Sequence, residues 1–143
     1  MSQESATPDL AEVARRALDA INRRDKALWL AVCDPEIENV PPRDWPESEP
    51  TRGPEAIWDF YIQGSDPWEG GGAYEYGELL EAGRDTIVGE VRGEMQGQAS
   101  GASVTWSFWQ VLKSRDGRGL RIEWFADRAE ALKAAERLAE SKG

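Results

Sequence analysis

Apolar residues recur at helical spacing from Leu10 through Val13, Ala14, Ala17 and Leu18 to Ile21, with Arg15, Arg16, Arg23 and Arg24 on other faces. A stripe of that period buries against a core while the charged faces stay in water. Thr7-Pro8 reads as its start, a capping hydroxyl followed by proline at the first helical position. Asp25 predicts the cap of a second short helix over residues 27–32, stopped by Asp34-Pro35. Residues 36–40 predict a short strand. An acidic, proline-rich loop over 41–51 carries Trp45, and Arg52-Gly53-Pro54 opens a third helix with Ile57, Phe60 and Tyr61 on one side, ended by Gly64.

The pattern then changes from period 3.6 to period 2. Strands are predicted over 73–80, 86–95, 103–113 and 120–125. Ala82-Gly83-Arg84-Asp85 supplies the first turn, a Gly/Ser-rich connection through Ser100-Gly101 the second, and Asp116-Gly117 a hairpin. Asp127 caps a last helix with Leu132, Ala135 and Leu138 inward. Three helices, an antiparallel meander and a terminal helix make an α+β layout. A strongly curved antiparallel sheet wrapped around the N-terminal helices encloses a cone-shaped cavity, a natural small-molecule site. At 143 residues one domain is expected, with residues 1–6 a disordered tail and 7–143 the domain.

Composition narrows the chemistry. Lys+Arg 17 against Asp+Glu 27 gives a net charge of −10, which repels nucleic-acid phosphates and anionic lipids, so neither is an expected partner. No long uncharged apolar run suits a membrane span, and no basic region leading an apolar stretch opens the chain, so no secretory leader is expected. The lone Cys33 reads as a small core hydrophobe in a reducing cytoplasm. With no histidine, Ser-His-Asp and Cys-His catalysis and the commonest zinc sites are excluded in their usual forms. Nucleotide-binding glycine motifs are missing, and Glu47-Ser48-Glu49 reads as a solvated loop, so neither cofactor nor metal is expected. Seven tryptophans supply the aromatic surface that small organic ligands and interfaces both favour.

The element order and its signposts resemble the nuclear-transport-factor-2-like superfamily, a cystatin-like roll, and within it the SnoaL-like families. The signposts are Ala17-Leu18 to Asn22-Arg23-Arg24-Asp25, Asp34-Pro35-Glu36-Ile37, Thr51-Arg52-Gly53, Arg115-Asp116-Gly117 and Asp127-Arg128-Ala129-Glu130-Ala131-Leu132. The nearest named branch is the limonene-epoxide-hydrolase-like proteins, marked by an Asp-Arg-Asp site on two strands with an Asn and a Tyr from the first strand. The resemblance implies that Asn39, in Glu38-Asn39-Val40-Pro41, matches that Asn, while Ile37 falls where the Tyr is expected. It places Arg92 and Glu94 on one strand and Glu123 on the other, with glutamates in place of both aspartates.

Alternation alone puts Glu90, Arg92 and Glu94 on one strand face and Arg121, Glu123 and Phe125 on one face of theirs. If both look into the cavity, Glu94 and Glu123 share acid and base roles, Arg92 holds them and Asn39 orients water. In the other reading these charges form a solvated ladder of ion pairs, with Val88, Val91, Leu120 and Ile122 inward. Trp106 and Gln110 are expected inside, joined by Trp29, Trp58, Tyr61 and Phe125 as pocket lining, with Trp68 and Gly70-Gly71-Gly72 a lip or merely a loop. The function expected is a cofactor-free enzyme, epoxide-hydrolase-like or isomerase/cyclase-like, acting on a small apolar oxygenated molecule. The alternative is a non-catalytic small-ligand-binding or dimerisation module, and a homodimer through the outer sheet face is expected in either case.

Overall fold

The computed structural model describes residues 9–43, 49–65, 68–97 and 103–140, with side chains at 63–73, 94–104 and 140 left aside. The predicted tail, Thr7-Pro8, Trp45, the Glu47-Ser48 pair, the Ser100-Gly101 connection and the side chains of Trp68 and Glu94 lie outside the described residues. Helix α1 (Leu10–Arg23) is capped by Asp9, whose carboxylate accepts from the Ala11 N–H, and ends on Arg24 in the left-handed conformation. It buries Leu10, Val13, Ala14, Ala20 and Ile21. Asp25 caps α2 (Lys26–Val32) by accepting from the Leu28 N–H, and Pro54 opens α3 (Pro54–Ser65).

Six strands follow the order β2-β1-β6-β5-β4-β3. They are β1 (Cys33–Val40), β2 (Thr51–Arg52), β3 (Trp68–Glu81), β4 (Thr86–Gly97), β5 (Ser103–Arg115) and β6 (Arg118–Phe125). The sheet is mixed rather than wholly antiparallel. Strands β3 to β6 form the expected meander, but β1 lies parallel to β6. A parallel neighbour needs a long crossover, and everything between β1 and β6 serves as one. The β5–β6 hairpin turns on Asp116 and Gly117 at φ 54 and 79, the two positive angles that a type I′ turn requires.

Each face of the sheet has its own roof. On the concave side α1, α2 and α3 pack Val13, Ile21, Trp29, Ile57 and Trp58 against Ile37, Ile87, Leu112 and Ile122. On the convex side α4 (Arg128–Glu140) lays Ala131, Ala134, Ala135 and Leu138 over Val88 and Val111. Alanines at i, i+3 and i+4 leave no bulk between helix axis and sheet, so the helix settles close. The edge strand β3 is clasped by Asn22 of α1, which donates to the Tyr74 carbonyl at 2.8 Å and accepts from the Tyr74 N–H at 2.9 Å. This side chain completes the ladder where a strand would otherwise end unpaired. No helix among the described residues is long and apolar enough to cross a membrane.

Two contacts yield tests of this packing. A Cβ on Gly93 would sit 2.4 Å from the Trp106 ring, so the indole lies flat on bare backbone. Gly93→Ala should lower stability by about 1–3 kcal/mol through overpacking, read by urea unfolding. Asp34 accepts the Glu36 N–H at 2.8 Å, Arg115 Nη2 at 3.0 Å on both oxygens and Arg115 Nε at 3.2 Å. The Glu36 N–H first, and Arg115 with it, holds this carboxyl below its ordinary value of 3.8. Its stabilisation is therefore complete above that value and lost as pH falls below it. The acid-limb slope of unfolding free energy should be shallower in Asp34→Asn than in the parent.

Candidate functional site

Alternation along β1 turns Ile37 and Asn39 toward the helices and Glu38 away, and Asn39 is 0% exposed. Its Oδ1 accepts from the Tyr61 hydroxyl at 2.5 Å and from the Trp124 indole Nε1 at 2.9 Å. The same indole N–H lies 3.3 Å from the Tyr61 oxygen. An indole N–H can only donate, so it fixes the amide with oxygen toward Trp124 and nitrogen away. Asn39 Nδ2 is then buried with no hydrogen-bond partner among the described residues. Stranding a buried donor costs about 1–3 kcal/mol, which makes it a feature to be accounted for rather than passed over.

A second polar pair lies across the sheet. Tyr76 donates to Gln110 Oε1 at 2.5 Å, and Gln110 stands opposite Trp124 in the β5–β6 ladder. Gly89 makes this possible, because a Cβ there would come within 2.9 Å of the Tyr76 ring. Aromatic rings make the walls. Trp29 meets Trp58 at 6.4 Å and Tyr61 edge-on at 5.7 Å, Tyr61 meets Trp124 at 6.4 Å, and Trp106 meets Tyr74 at 5.6 Å and Phe108 at 5.5 Å. The Trp29 Nε1 donates to the Pro54 carbonyl at 2.7 Å, tying α2 to α3. Tyr61 and Tyr76 are enclosed by protein, and desolvation drives both phenols well above their ordinary value. Both nonetheless keep some accessible surface, as do Tyr74, Trp106, Phe108 and Trp124, so these rings are not sealed inside solid core.

The concave face thus gathers Asn39, Trp29, Trp58, Tyr61, Trp106 and Gln110. It does not gather the charged residues. Arg92 stands on the convex face, its side chain 55% exposed, donating to Glu90 at 3.0 Å. Glu123 is also on the convex face yet only 4% exposed, because α4 and its neighbours cover it. Arg121 Nε donates to one of its oxygens at 2.6 Å and Arg137 of α4 to the other at 2.8 Å. Arg121 also pairs with Glu38, which accepts from Arg52 at 2.9 Å. The expected meeting of Arg92 and Glu123 in the cone fails because inward places on β4 and β6 belong to Val91, Gly93, Ile122 and Trp124. The solvated ladder is not the whole account either, since Glu123 is roofed and Val88 lies under α4. Phe125, expected to line the pocket, packs in that convex cluster.

Tyr76 and Trp124 were not singled out by the sequence pattern. The available signal was parity: Trp124 alternates with Glu123 and shares the face of Ile122. Cys33 is buried, and desolvation pushes its thiol up to about 12, which leaves it inert. A depression of about 670 Å³ is lined by Tyr74, Glu75, Glu90, Arg92, Gly93, Thr105, Trp106 and Ser107. Its charged and hydroxyl side chains belong by alternation to the convex face.

A SnoaL-like domain model matches residues 14–122. Among solved structures, TerC co-crystallised with polyporic acid is 22% identical, covering 89% of this chain and 97% of that chain with a TM-score of 0.68. RV0760c from Mycobacterium tuberculosis, in complex with estradiol-17β-hemisuccinate, is 12% identical over 84% of this chain and 95% of that chain, TM-score 0.69. The Δ5-3-ketosteroid isomerase from Mycobacterium sp. is 15% identical over 84% and 94%, TM-score 0.67. A comparison with curated protein sequences returns no match. At these identities the structures share the fold of this chain.

Removing the charge that two arginines share should show in stability. Glu123→Gln is expected to lower unfolding free energy by about 1.5–3 kcal/mol, the range for hydrogen bonds to charged groups. Urea unfolding of the variant and the parent provides the measurement.

Proposed function

The chain belongs to the SnoaL-like domain family, and within it we propose a protein that binds a small, largely apolar molecule against the aromatic rings of the concave face. The observation that carries this reading is the set of concave-face rings that stay partly exposed, Tyr61, Tyr76, Trp106 and Trp124, beside the polar Asn39 and Gln110. Apolar walls with a few convergent polar groups are the usual make-up of such sites. Similar folds crystallised with polyporic acid and with estradiol-17β-hemisuccinate support the same ligand class.

Binding is favoured over proton transfer. Among described strand positions that alternate onto the concave face, the one carboxylate is Glu81, exposed at the end of β3. No acid–base pair of the kind that epoxide opening needs stands beside Asn39 on these strands. An isomerase- or cyclase-like reaction draws support from the fold shared with the ketosteroid isomerase, and would have to rely on polarisation by Asn39 and the two tyrosines. A homodimer across the convex face would use the strip bearing Glu75, Arg92, Thr105 and Ser107, because α4 occupies the remainder.

Displacement of Nile red by small neutral aromatic compounds provides the test. Saturable binding is expected, weakened at least threefold by Trp124→Phe and unchanged within twofold by Arg92→Ala. Absence of saturable binding in the parent overturns the proposal. Turnover of an epoxide panel that disappears in Arg92→Ala would overturn it in favour of the hydrolase.

A further inference from the structure

Helix α4 holds the sheet by two kinds of contact, and neither is strong. Its apolar face is mostly methyl groups, with Ala131, Ala134 and Ala135 buried and Leu138 its one large buried side chain. Apolar burial scales with area, so this face grips far less than Trp29, Ile37, Ile57 and Ile87 grip in the concave layer. The rest of the hold is polar. In the first turn Arg128 donates through Nε and Nη2 to Glu78, at 3.1 and 3.3 Å. Near the other end Arg137 donates to Glu123 at 2.8 Å, and Lys113 donates to the Leu138 carbonyl at 2.7 Å. Arg128, Glu78 and Arg137 are exposed, and pairs open to water add little and weaken with salt. The buried Lys113 ammonium gains little net from its carbonyl, because leaving water costs it nearly as much.

The sheet beneath is already satisfied without the helix. Glu123 keeps Arg121 of its own strand at 2.6 Å while its other oxygen meets water, and Lys113 keeps Asp85 at 3.7 Å. The six-stranded ladder loses no pairing, and only the exposed Ala126 and Asp127 join β6 to α4. We propose that α4 is a charge-latched strap that lifts from the sheet as one unit while the strands and the concave helices stay folded. Lifting bares Val88, Val111, Trp109 and Phe125. Trp109 stands opposite Glu90 in the β4–β5 ladder, so this apolar row continues the exposed strip of Glu75, Arg92 and Ser107 into one amphipathic face. Helix α4 is the cover of that face, and ionic strength releases it. Within the helix Arg128, Lys133 and Arg137 balance Glu130, Glu136 and Glu140, so salt acts on the latches rather than on repulsion from the net charge of −10. The inference concerns the convex side and is independent of ligand binding on the concave one.

Native-state hydrogen exchange of the full chain, read amide by amide by NMR, separates such an opening from global unfolding. In the unaltered protein, residues 132–138 are expected to share one protection level at least about thirtyfold below that of β5. Raising NaCl from about 0.05 M to about 1 M shortens the screening length to about 3 Å and should lower α4 protection at least about threefold. Arg137→Gln removes a latch that every opened state has already lost, so α4 and β5 should lose protection by the same factor. Ile57→Val weakens only the layer that stays folded, so β5 should lose at least about threefold while α4 stays within about twofold. The inference is overturned if α4 and β5 exchange at one level, if protection falls steadily toward the end of the helix as in fraying, or if salt fails to lower it. An equal loss in α4 and β5 on Ile57→Val overturns it too. The level and salt response of the unaltered protein decide the matter where a variant fails to fold.

Discussion

A sheet packed by helices on both sides leaves only part of one face to water. Helices α1 to α3 cover the concave side and α4 covers part of the convex side, so most central strand residues point into one packed layer or the other, while Glu75, Arg92, Thr105 and Ser107 form an exposed strip. Period-two alternation then becomes a hard constraint, because shifting a strand by one residue exchanges its whole set of side chains between the layers. Asn39 beside Glu38 and Trp124 beside Glu123 are its clearest products. In each pair the hydrogen-bonding group packs among the aromatic rings under the helices and the carboxylate is sent to the arginines on the other face.

The convex charges accordingly do structural work. Arg52, Glu38, Arg121, Glu123 and Arg137 form a chain of alternating sign that runs from β2 across β1 and β6 to α4. Burial of Glu123 would be unfavourable alone, since a desolvated carboxylate needs both oxygens satisfied. Two guanidiniums meet that need, one from its own strand and one from the helix above. Arg128 to Glu78 and Lys113 to the Leu138 carbonyl hold the two ends of α4 in the same manner. Apolar contact through alanines is indifferent to small slides of a helix, whereas directed ion pairs are not, so the pairs set where α4 stops.

Much of this architecture was legible in the sequence because its signals are local. Asp25 and Asp127 stand as caps, Pro54 opens its helix, and Asp116-Gly117 takes the two positive φ angles of its turn. The parallel pairing of β1 with β6 was not legible, since it depends on where a distant strand arrives. Alternation correctly grouped Arg121, Glu123 and Phe125 on one face, yet it could not tell which face is concave. That depended on α4, whose docking side is a tertiary fact. Trp124 escaped notice for a related reason: attention to charge favours the outward member of each alternating pair, and the polar atom of an indole is easily read as mere bulk.

The inner and outer networks are not independent. Glu38 and Asn39 are consecutive, so the rotation of β1 about its own axis is gripped from outside by Arg52 and Arg121 and from inside by Tyr61 and Trp124. Glu123 and Trp124 repeat the arrangement on β6, gripped by Arg121 and Arg137 on one side and by Asn39 on the other. The ladder joins the two strands at Glu38 with Arg121, Asn39 with Ile122 and Val40 with Glu123, so a twist in either is transmitted to both. A buried amide held by two donors needs a backbone that does not roll. Ion pairs on the opposite face supply that resistance, and the charged residues whose spacing suggests chemistry instead hold in place a buried, uncharged one.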